Sequence, residues 1–405
     1  MPLRRASLLA VALAITPRLL SAQADTLRAF SSLLSFNGQV AGISGGLGDG
    51  SAVLGLAGAQ GTLRLGPLIH WHGASVFVDL LASFGGHPSA YAGDIQGVSN
   101  IDAPAGVRIE EAWLQQNLLD GRLSLLAGRF DVSAEFYRLQ SATLFLNSSL
   151  GTGPEFAGSG VEGPSIYPYT SLGGRIAIKP SSNVVFRAAV LDGVPVYRPG
   201  GDRLFAPGDG VLLVGEVALL KRPEPADVNR QRRFHVGRGT RRPYTGKVAL
   251  GGWYYTASFD RLVATGLPAE PVQGSGGIYL IADQTLYADS AGKRGPLTAF
   301  VQLGLGDGRV NHVGAYVGAG VTLTAPVAKR SADELGLAVA MAFNGEAFNR
   351  LPSAVSGETA IELTYLAQIL PWLAAQPDLQ YIVHPGGTSR TENAFVVSLT
   401  IALSH

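Results

Sequence analysis

The chain has 405 residues, of which 46% are hydrophobic and only 15% are charged, with 53 glycines, no cysteine and a formal net charge of +1. High hydrophobicity with so little net charge excludes a disordered chain. The mean hydropathy of +0.21 is typical of a membrane protein, yet the longest uninterrupted apolar run, Leu8 to Ile15, is far shorter than the roughly 18 residues of a transmembrane helix. The composition therefore favours a membrane protein that crosses the bilayer with strands.

The N-terminus has the order of a secretory signal. Arg4 and Arg5 precede the apolar run, and Ala22-Gln23-Ala24 supplies a small-residue cleavage site, so residues 1–24 are predicted to be a signal peptide; the alternative is an amphipathic helix. Cleavage removes three of the 31 basic residues and leaves the 30 acidic ones. Neither sign then dominates, and no nucleic-acid partner is expected. The absence of cysteine means that no disulfide framework supports the exported chain.

Apolar residues recur with a period of two in the mature chain. Residues 313–323 alternate Val, Ala and Leu with Gly, Tyr and Thr, and 297–305 and 335–343 repeat the pattern. Such alternation over about ten residues matches a strand with one face in hydrocarbon, whereas strands of a soluble sandwich are usually about 5–6 residues long. Sixteen such segments are predicted, at 33–44, 54–69, 74–84, 108–118, 121–131, 171–179, 183–192, 210–219, 245–256, 275–284, 295–305, 312–324, 334–344, 357–367, 376–384 and 393–403.

The connections alternate in length, as in outer-membrane barrels. The short ones are 72–73, 120–121 and 180–182, and the long ones are 85–107, 132–170 and 257–274. One connection, the basic stretch 221–244, is long on the side where turns are short; it is either a solvated excursion or a missed pair of strands. The fold class predicted for residues 25–405 is therefore all-β, a transmembrane antiparallel barrel of the porin type with about sixteen strands.

Several motifs along the mature chain are shared with one family. They include Glu110 to Gln116, Leu126 to Asp131 and Ala134 to Phe136, with Ala142 to Ser148 following. Further matches are Tyr167-Pro168, Gly173 to Arg175, Gly251 to Tyr254, Gly276 to Tyr279, Asp283-Gln284, Arg330 with Asp333, Pro371 to Leu373, Gln376 to Ile382 and His384 to Gly387. In these segments the chain resembles the carbohydrate-selective porin (OprB) family of bacterial outer membranes. The basic stretch 221–244 and the terminal His405 depart from that pattern.

The resemblance implies a sixteen-stranded porin that passes monosaccharides and related sugars by facilitated diffusion. The expected partners are neutral sugars, outer-membrane lipid and the barrel-assembly machinery. The sequence leaves open whether the protein is a monomer or a homotrimer and which sugar it prefers. No cofactor and no metal are expected.

Strand phase assigns polar residues to the lumen. An Arg or Lys that faces lipid at mid-depth costs about 2–4 kcal/mol, so charged side chains are placed opposite the apolar phase; Arg129 and Asp131 are placed inside on this cost alone. Sugar hydroxyls need hydrogen-bond donors and acceptors, and aromatic rings supply flat surfaces. The candidate sugar-contacting residues are Glu111, Trp113, Arg129, Asp131, Arg175, Arg187, Glu216, Trp253, Tyr279, Asp283, Glu362 and Gln380. The alternative for each residue is that it belongs to an ion-pair network in the lumen that only stabilises the barrel wall.

The connection 132–170 is long enough to be a functional loop. It contains Phe136, Tyr137 and Arg138, and we expect it to fold inward and narrow the pore; the alternative is an exposed surface loop. Glycines on the lumen face are expected to keep a channel open.

Three other functions compete with a sugar porin. A general-diffusion porin would lack sugar selectivity, and a structural or adhesin barrel would leave the lumen chemistry unexplained. A barrel enzyme would need a nucleophile with a histidine and an acid in reach, and none of the seven histidines is paired in that way by the strand map. The sequence therefore predicts a protein that is not an enzyme.

Overall fold

A computed structural model describes residues 29–195, 205–222, 244–262, 270–288, 295–327 and 330–405. Its sixteen strands form one closed barrel in which every strand pairs with its chain neighbours. This confirms the predicted fold class. The strands are β1 Phe30–Gly45, β2 Gly50–Arg64, β3 Ala74–Gly85, β4 Gly106–Leu118, β5 Leu123–Phe130, β6 Ser171–Ser181, β7 Val184–Asp192, β8 Val211–Lys221, β9 Gly246–Phe259, β10 Val272–Tyr287, β11 Leu297–Gly306, β12 Val313–Thr324, β13 Glu334–Asn344, β14 Gly357–Leu370, β15 Leu373–Val383 and β16 Ala394–Ser404.

The first and last strands close the barrel. In the β1–β16 pair, Val40 lies opposite Leu399, and Leu34 and His405 exchange two backbone hydrogen bonds of 3.0 Å. The terminal histidine thus extends the pairing by one residue. Both ends of the barrel chain lie at the same rim, as an even number of strands requires.

The two faces of each strand differ as the alternation predicts. On β16, Phe395, Val397 and Leu399 are exposed on the outside, while Val396 and Ser398 are buried on the inside. Exposed apolar side chains form a band around the whole barrel, which suits contact with hydrocarbon. No helix in the described ranges is both long and apolar enough to span a membrane.

Strand ends differ from the sequence prediction where polar or special residues intervene. β10 is 16 residues long and extends beyond the predicted segment 275–284, because its ends continue to pair with β9 and β11. β2 ends at Arg64, five residues before the predicted end. A short helix with Pro67 in its first turn follows, since proline cannot donate to a strand ladder.

The short helices lie in the connections. The α-helices are α1 Gly66–Ile69, α2 Ser89–Ala92, α3 Ser148–Gly151 and α4 Pro154–Ala157, and the 3₁₀ turns are Leu119–Gly121, Val132–Ala134, Ser141–Leu144, Phe348–Arg350 and Pro385–Gly387. The β4–β5 connection is tight because Asp120 and Gly121 adopt positive φ angles of 53° and 80°, which suit a hairpin turn.

The basic connection follows β8. Lys221 pairs with Gly246 and β8 pairs directly with β9, so no further strand pair enters the wall between them. Residues 223–243, like the predicted signal peptide, lie outside the described residues.

Two connections turn into the barrel. The inner loop (residues 131–170, between β5 and β6) and the second loop (residues 86–105, between β3 and β4) contact inward-facing side chains of the wall. The largest buried cluster of apolar residues joins the inner loop to inward-facing side chains around the barrel, and it includes Tyr137 and Phe156 of the loop and Tyr279 and Tyr316 of the wall. The core of this barrel is therefore the contact between loop and wall.

Candidate functional site

Carboxylates of the wall hold the inner loop by its backbone. Glu362 of β14 is buried, and its two oxygens accept hydrogen bonds from the N–H groups of Leu146 (2.6 Å) and Asn147 (3.0 Å). On β10, Asp283 accepts hydrogen bonds from the backbone N–H and the hydroxyl of Ser141 at 3.3 and 3.1 Å. These hydrogen bonds between wall carboxyl groups and the loop backbone fix the path of the loop.

Tyr137 is a fully buried residue of the inner loop. Its backbone N–H donates to Glu216 Oε2 at 3.0 Å, and the Tyr279 hydroxyl donates to the same oxygen at 3.0 Å. Its own hydroxyl donates to Glu155 Oε1 at 2.9 Å. Tyr137 has a φ of 54°, a conformation that costs energy for a non-glycine residue and that this contact set holds in place.

An aromatic cluster seals the loop against β9 and β10. The ring centroids of Tyr137 and Tyr279 are 4.4 Å apart, and those of Phe156 and Trp253 are 4.5 Å apart. Trp253 and Tyr279 face inward, but all four rings are buried. The loop covers Trp253 and Tyr279, and their buried rings anchor it to the wall.

Glycines of the wall make room for loop side chains. A methyl group at Gly304 of β11 would collide with the Glu155 carboxyl group, and one at Gly336 of β13 would lie 2.8 Å from Leu144 and Phe145 atoms. The expectation that lumen glycines keep a channel open is therefore wrong at these positions. Here side chains of the inner loop fill the space beside the glycines.

The second loop is bound in the same way, which the sequence reasoning missed. Glu358 of β14 accepts hydrogen bonds from the backbone N–H groups of Ile95 (3.0 Å), Gln96 (3.2 Å) and Gly386 (2.8 Å). Gln380, a predicted sugar contact, is buried and donates to the Val98 carbonyl at 2.8 Å. Glu358 lies four residues before Glu362 on the same strand face, so strand phase alone places it in the lumen.

Ion pairs form a continuous row across β6–β9. Arg175 Nη2 is 2.6 Å from Glu135 Oε1, and Glu135 Oε2 is 3.6 Å from Arg187 Nε. The row continues from Arg187 Nη1 to Glu216 Oε1 at 3.1 Å and from Glu216 Oε1 to Lys247 Nζ at 3.4 Å. We call these five residues the charge row. Sequence reasoning placed Arg175, Arg187 and Glu216 inward but missed Lys247 and Glu135, although Lys247 shares the phase of Trp253.

Strands β2–β7 present polar side chains to the lumen on the side of the wall that the inner loop packs against less tightly. Inward-facing side chains of β2–β7 that are partly exposed form what we call the open side. Its polar members include Gln60, Arg64, Arg108, Gln115, Asn117, Lys179 and Arg187. Gln115 Oε1 accepts a hydrogen bond from Arg175 Nη2 at 3.0 Å, which joins the open side to the charge row.

The remaining candidates near β4 and β5 stabilise their surroundings. Trp113 is buried against Phe77 with a centroid distance of 4.9 Å, and its indole N–H donates to Glu111 at 2.9 Å. Asp131 is fully buried and accepts from Ser133 N at 2.8 Å and from Tyr167 N at 3.3 Å. It therefore ties the two ends of the inner loop together.

The loop residues chosen from the sequence differ in exposure. Phe136 and Tyr137 are fully buried, whereas Arg138 is partly exposed. The Arg138 carbonyl accepts a hydrogen bond from Lys247 Nζ at 2.8 Å, and its guanidinium donates to the Ala134 carbonyl at 3.0 Å. Of the three, only Arg138 keeps its side chain partly open.

The inward position predicted for Arg129 is wrong. Arg129 pairs with Ala112 and Leu172. It lies four residues after the exposed Leu125 on the same strand, so both side chains are on the outward face. The cost argument fails here because Arg129 is next to the last residue of β5, near the rim, where the penalty for an outward charge is small.

Comparison with known proteins gives the family. The family model described as carbohydrate-selective porin, OprB family, matches residues 53–404. The chain belongs to the OprB family. Porin B of Pseudomonas aeruginosa is 25% identical over 324 residues, which cover 73% of this chain and 67% of that protein.

Solved structures share the fold of this OprB-family barrel. A high-pH structure of Pseudomonas putida OprB has a TM-score of 0.79 at 21% identity and covers 94% of this chain and 95% of that one. The outer-membrane channel DcaP of Acinetobacter baumannii has a TM-score of 0.54 at 12% identity and covers 93% and 98%. Family and fold are those of an outer-membrane channel rather than of an enzyme.

We predict that Gly304→Ala loosens the inner loop of this OprB-family porin. The added methyl group displaces the Glu155 carboxyl group, and overpacking of this kind costs about 1–3 kcal/mol. The measurement is the rate of trypsin cleavage after Arg138, which should rise. The matched control is Gly215→Ala on β8, where nothing lies within 4 Å of the new methyl group. Equal cleavage rates in the two variants would show that the loop does not depend on this contact.

We also predict that docking of the inner loop weakens as pH rises. Burial raises the pKa of Glu155 from its ordinary 4.5 to about 7, although the Tyr137 hydroxyl favours the charged form. The docked loop therefore binds a proton more tightly than the free loop. Its docking is strongest below pH 4.5, falls between pH 4.5 and 7, and is constant above. Tyr137 and Tyr316 are the titratable side chains that interact with Glu155.

The measurement is the fraction of time that single channels spend in loop-displaced conductance levels between pH 4.5 and 8. Glu155→Gln should weaken the pH dependence in that window. The control is Asp307→Asn, because its partner Arg309 holds the pKa of Asp307 below its ordinary value, outside the window. A pH response that is unchanged in Glu155→Gln would assign the effect to another group.

Proposed function

We propose that this porin carries monosaccharides and related sugars by facilitated diffusion through a water-filled lumen that binds them weakly. Membership of the OprB family supports a carbohydrate as the solute. The proposed partners beyond the sugar are outer-membrane lipid on the outward apolar band and the barrel-assembly machinery.

The observation that carries the proposal is the polar open side next to the charge row. Arg187 and Gln115 are partly exposed and supply donors, while Glu135 and Gln115 supply acceptors. A sugar hydroxyl is both a donor and an acceptor, so it matches a surface that presents both. A ring of a single sign, by contrast, is typical of an ion filter.

The inner loop sets the width of the path in this proposal. Its contacts with Glu216, Asp283 and Glu362 place it against β8–β14, which leaves the open side of β2–β7 for solute. Sugar is therefore proposed to pass between the loop and the open side. The candidates Trp253, Tyr279, Asp283, Glu362 and Gln380 act through the loops that they hold.

The test is planar-bilayer conductance during a glucose titration. Glucose should block the ion current saturably in the wild type. Arg187→Ala should raise the half-blocking concentration about two- to tenfold, the effect of losing one hydrogen bond of ordinary strength. The matched control is Arg350→Ala, whose side chain is exposed in the connection between β13 and β14 and pairs with Glu346; its block should equal that of the wild type.

A solute dependence that stays linear without saturation in the wild type would contradict the proposal. The chain would then act as a general-diffusion porin. An equal change in Arg187→Ala and Arg350→Ala would show that sugar does not follow the open side.

A further inference from the structure

The charge row alternates in sign along its whole length. From β6 to β9 the order is Arg175, Glu135, Arg187, Glu216 and Lys247. Four of these residues project from the wall, and Glu135 comes from the inner loop, directly after the 3₁₀ turn Val132–Ala134. The alternation thus exists only because the loop inserts one carboxylate between two arginines of neighbouring strands.

Glu135 occupies a position that leaves it open to solute. Its side chain is 17% exposed and that of Arg187 is 21% exposed, whereas that of Arg175 is 3% exposed and that of Glu216 is fully buried. The part of the charge row that an ion or sugar in the lumen can reach is therefore the pair of Glu135 and Arg187.

The rest of the row is fixed by other contacts. Arg175 also donates to the hydroxyl and carbonyl of Ser124 at 2.9 and 3.1 Å, and Lys247 donates to the Arg138 carbonyl. Arg175 thus keeps Ser124 as a partner, and Arg187 keeps Glu216, when Glu135 is made neutral. Loss of the Glu135 charge should leave Arg175 and Arg187 in place in the wall. Their positive charge would then no longer be offset by Glu135.

We propose that Glu135 is the specificity-determining residue that keeps this lumen selective for neutral over acidic sugars. Two of the three cations in the charge row, Arg175 and Arg187, form ion pairs with Glu135. Without its charge the accessible part of the row is a cationic surface, and such a surface attracts anions, including sugars that carry a carboxylate.

The inference deepens the proposed function and rests on it for the nature of the solute. Its first test does not use sugar: reversal potentials are measured for single channels in a tenfold KCl gradient. Glu135→Gln retains the shape of the side chain and an acceptor oxygen. We expect it to raise the chloride-to-potassium permeability ratio about threefold or more, the effect of one unit charge at roughly 7 Å in water.

Two further variants separate charge from structure. Glu346→Gln removes an equally negative side chain that is 64% exposed in the connection between β13 and β14, and its reversal potential should equal that of the wild type. Arg187→Gln should shift the ratio in the opposite direction, and the double variant Glu135→Gln with Arg187→Gln should return it near the wild-type value. A loop that merely unfolds would shift both single variants in the same direction.

The second test compares sugars. In Glu135→Gln, block of the ion current by glucuronate should strengthen relative to block by glucose, whereas Glu346→Gln should leave that ratio unchanged. An unchanged reversal potential in Glu135→Gln would overturn the inference even if glucose blocks the wild type. Absence of glucose block in the wild type would instead overturn the proposed function, while the reversal potentials would still decide the role of Glu135.

Discussion

The closed ring of backbone hydrogen bonds is the constraint on which the rest of this molecule depends. An unpaired N–H or C=O group in hydrocarbon costs several kcal/mol, so a strand wall in a membrane must have no open edge. The chain meets this requirement by pairing β1 with β16 over eleven residues. Closure fixes the two faces of every strand, because successive side chains point to opposite sides.

Closure also concentrates the polar side chains of the wall in one enclosed space. Buried carboxylates such as Glu216, Asp283, Glu358 and Glu362 would be costly without partners. The inner loop and the second loop supply those partners with backbone N–H groups, which in turn would be costly to bury alone. Loop and wall therefore satisfy each other, and the same contacts decide which inward-facing polar groups remain exposed.

The sequence predicted the wall far better than the interior. Alternation on β16, from Phe395 to Leu403, depends on a local rule of period two and is read directly from neighbouring residues. The partners of Glu362 and Trp253 depend on where a 40-residue loop folds, and they lie 215 and 97 positions away in the chain. Phase could place these side chains inside but could not show that the loop covers them. For Arg129 the prediction failed on the wall itself. The cost of a lipid-facing charge was applied without regard to depth in the membrane, and it predicted the wrong face.

The central claim is that solute passes along the open side and not along the wall that the loops cover. The chain contains no cysteine, so a single introduced cysteine reports on one position. Gln115 of β4 is partly exposed, and Gln376 of β15 is buried beneath the Leu144 carbonyl; both face inward. The most direct measurement is the rate at which a charged thiosulfonate modifies Gln115→Cys and Gln376→Cys in open channels. The account predicts fast modification of Gln115→Cys, slowed by glucose, and slow modification of Gln376→Cys. Equal rates at the two positions, or no protection by glucose, would contradict it.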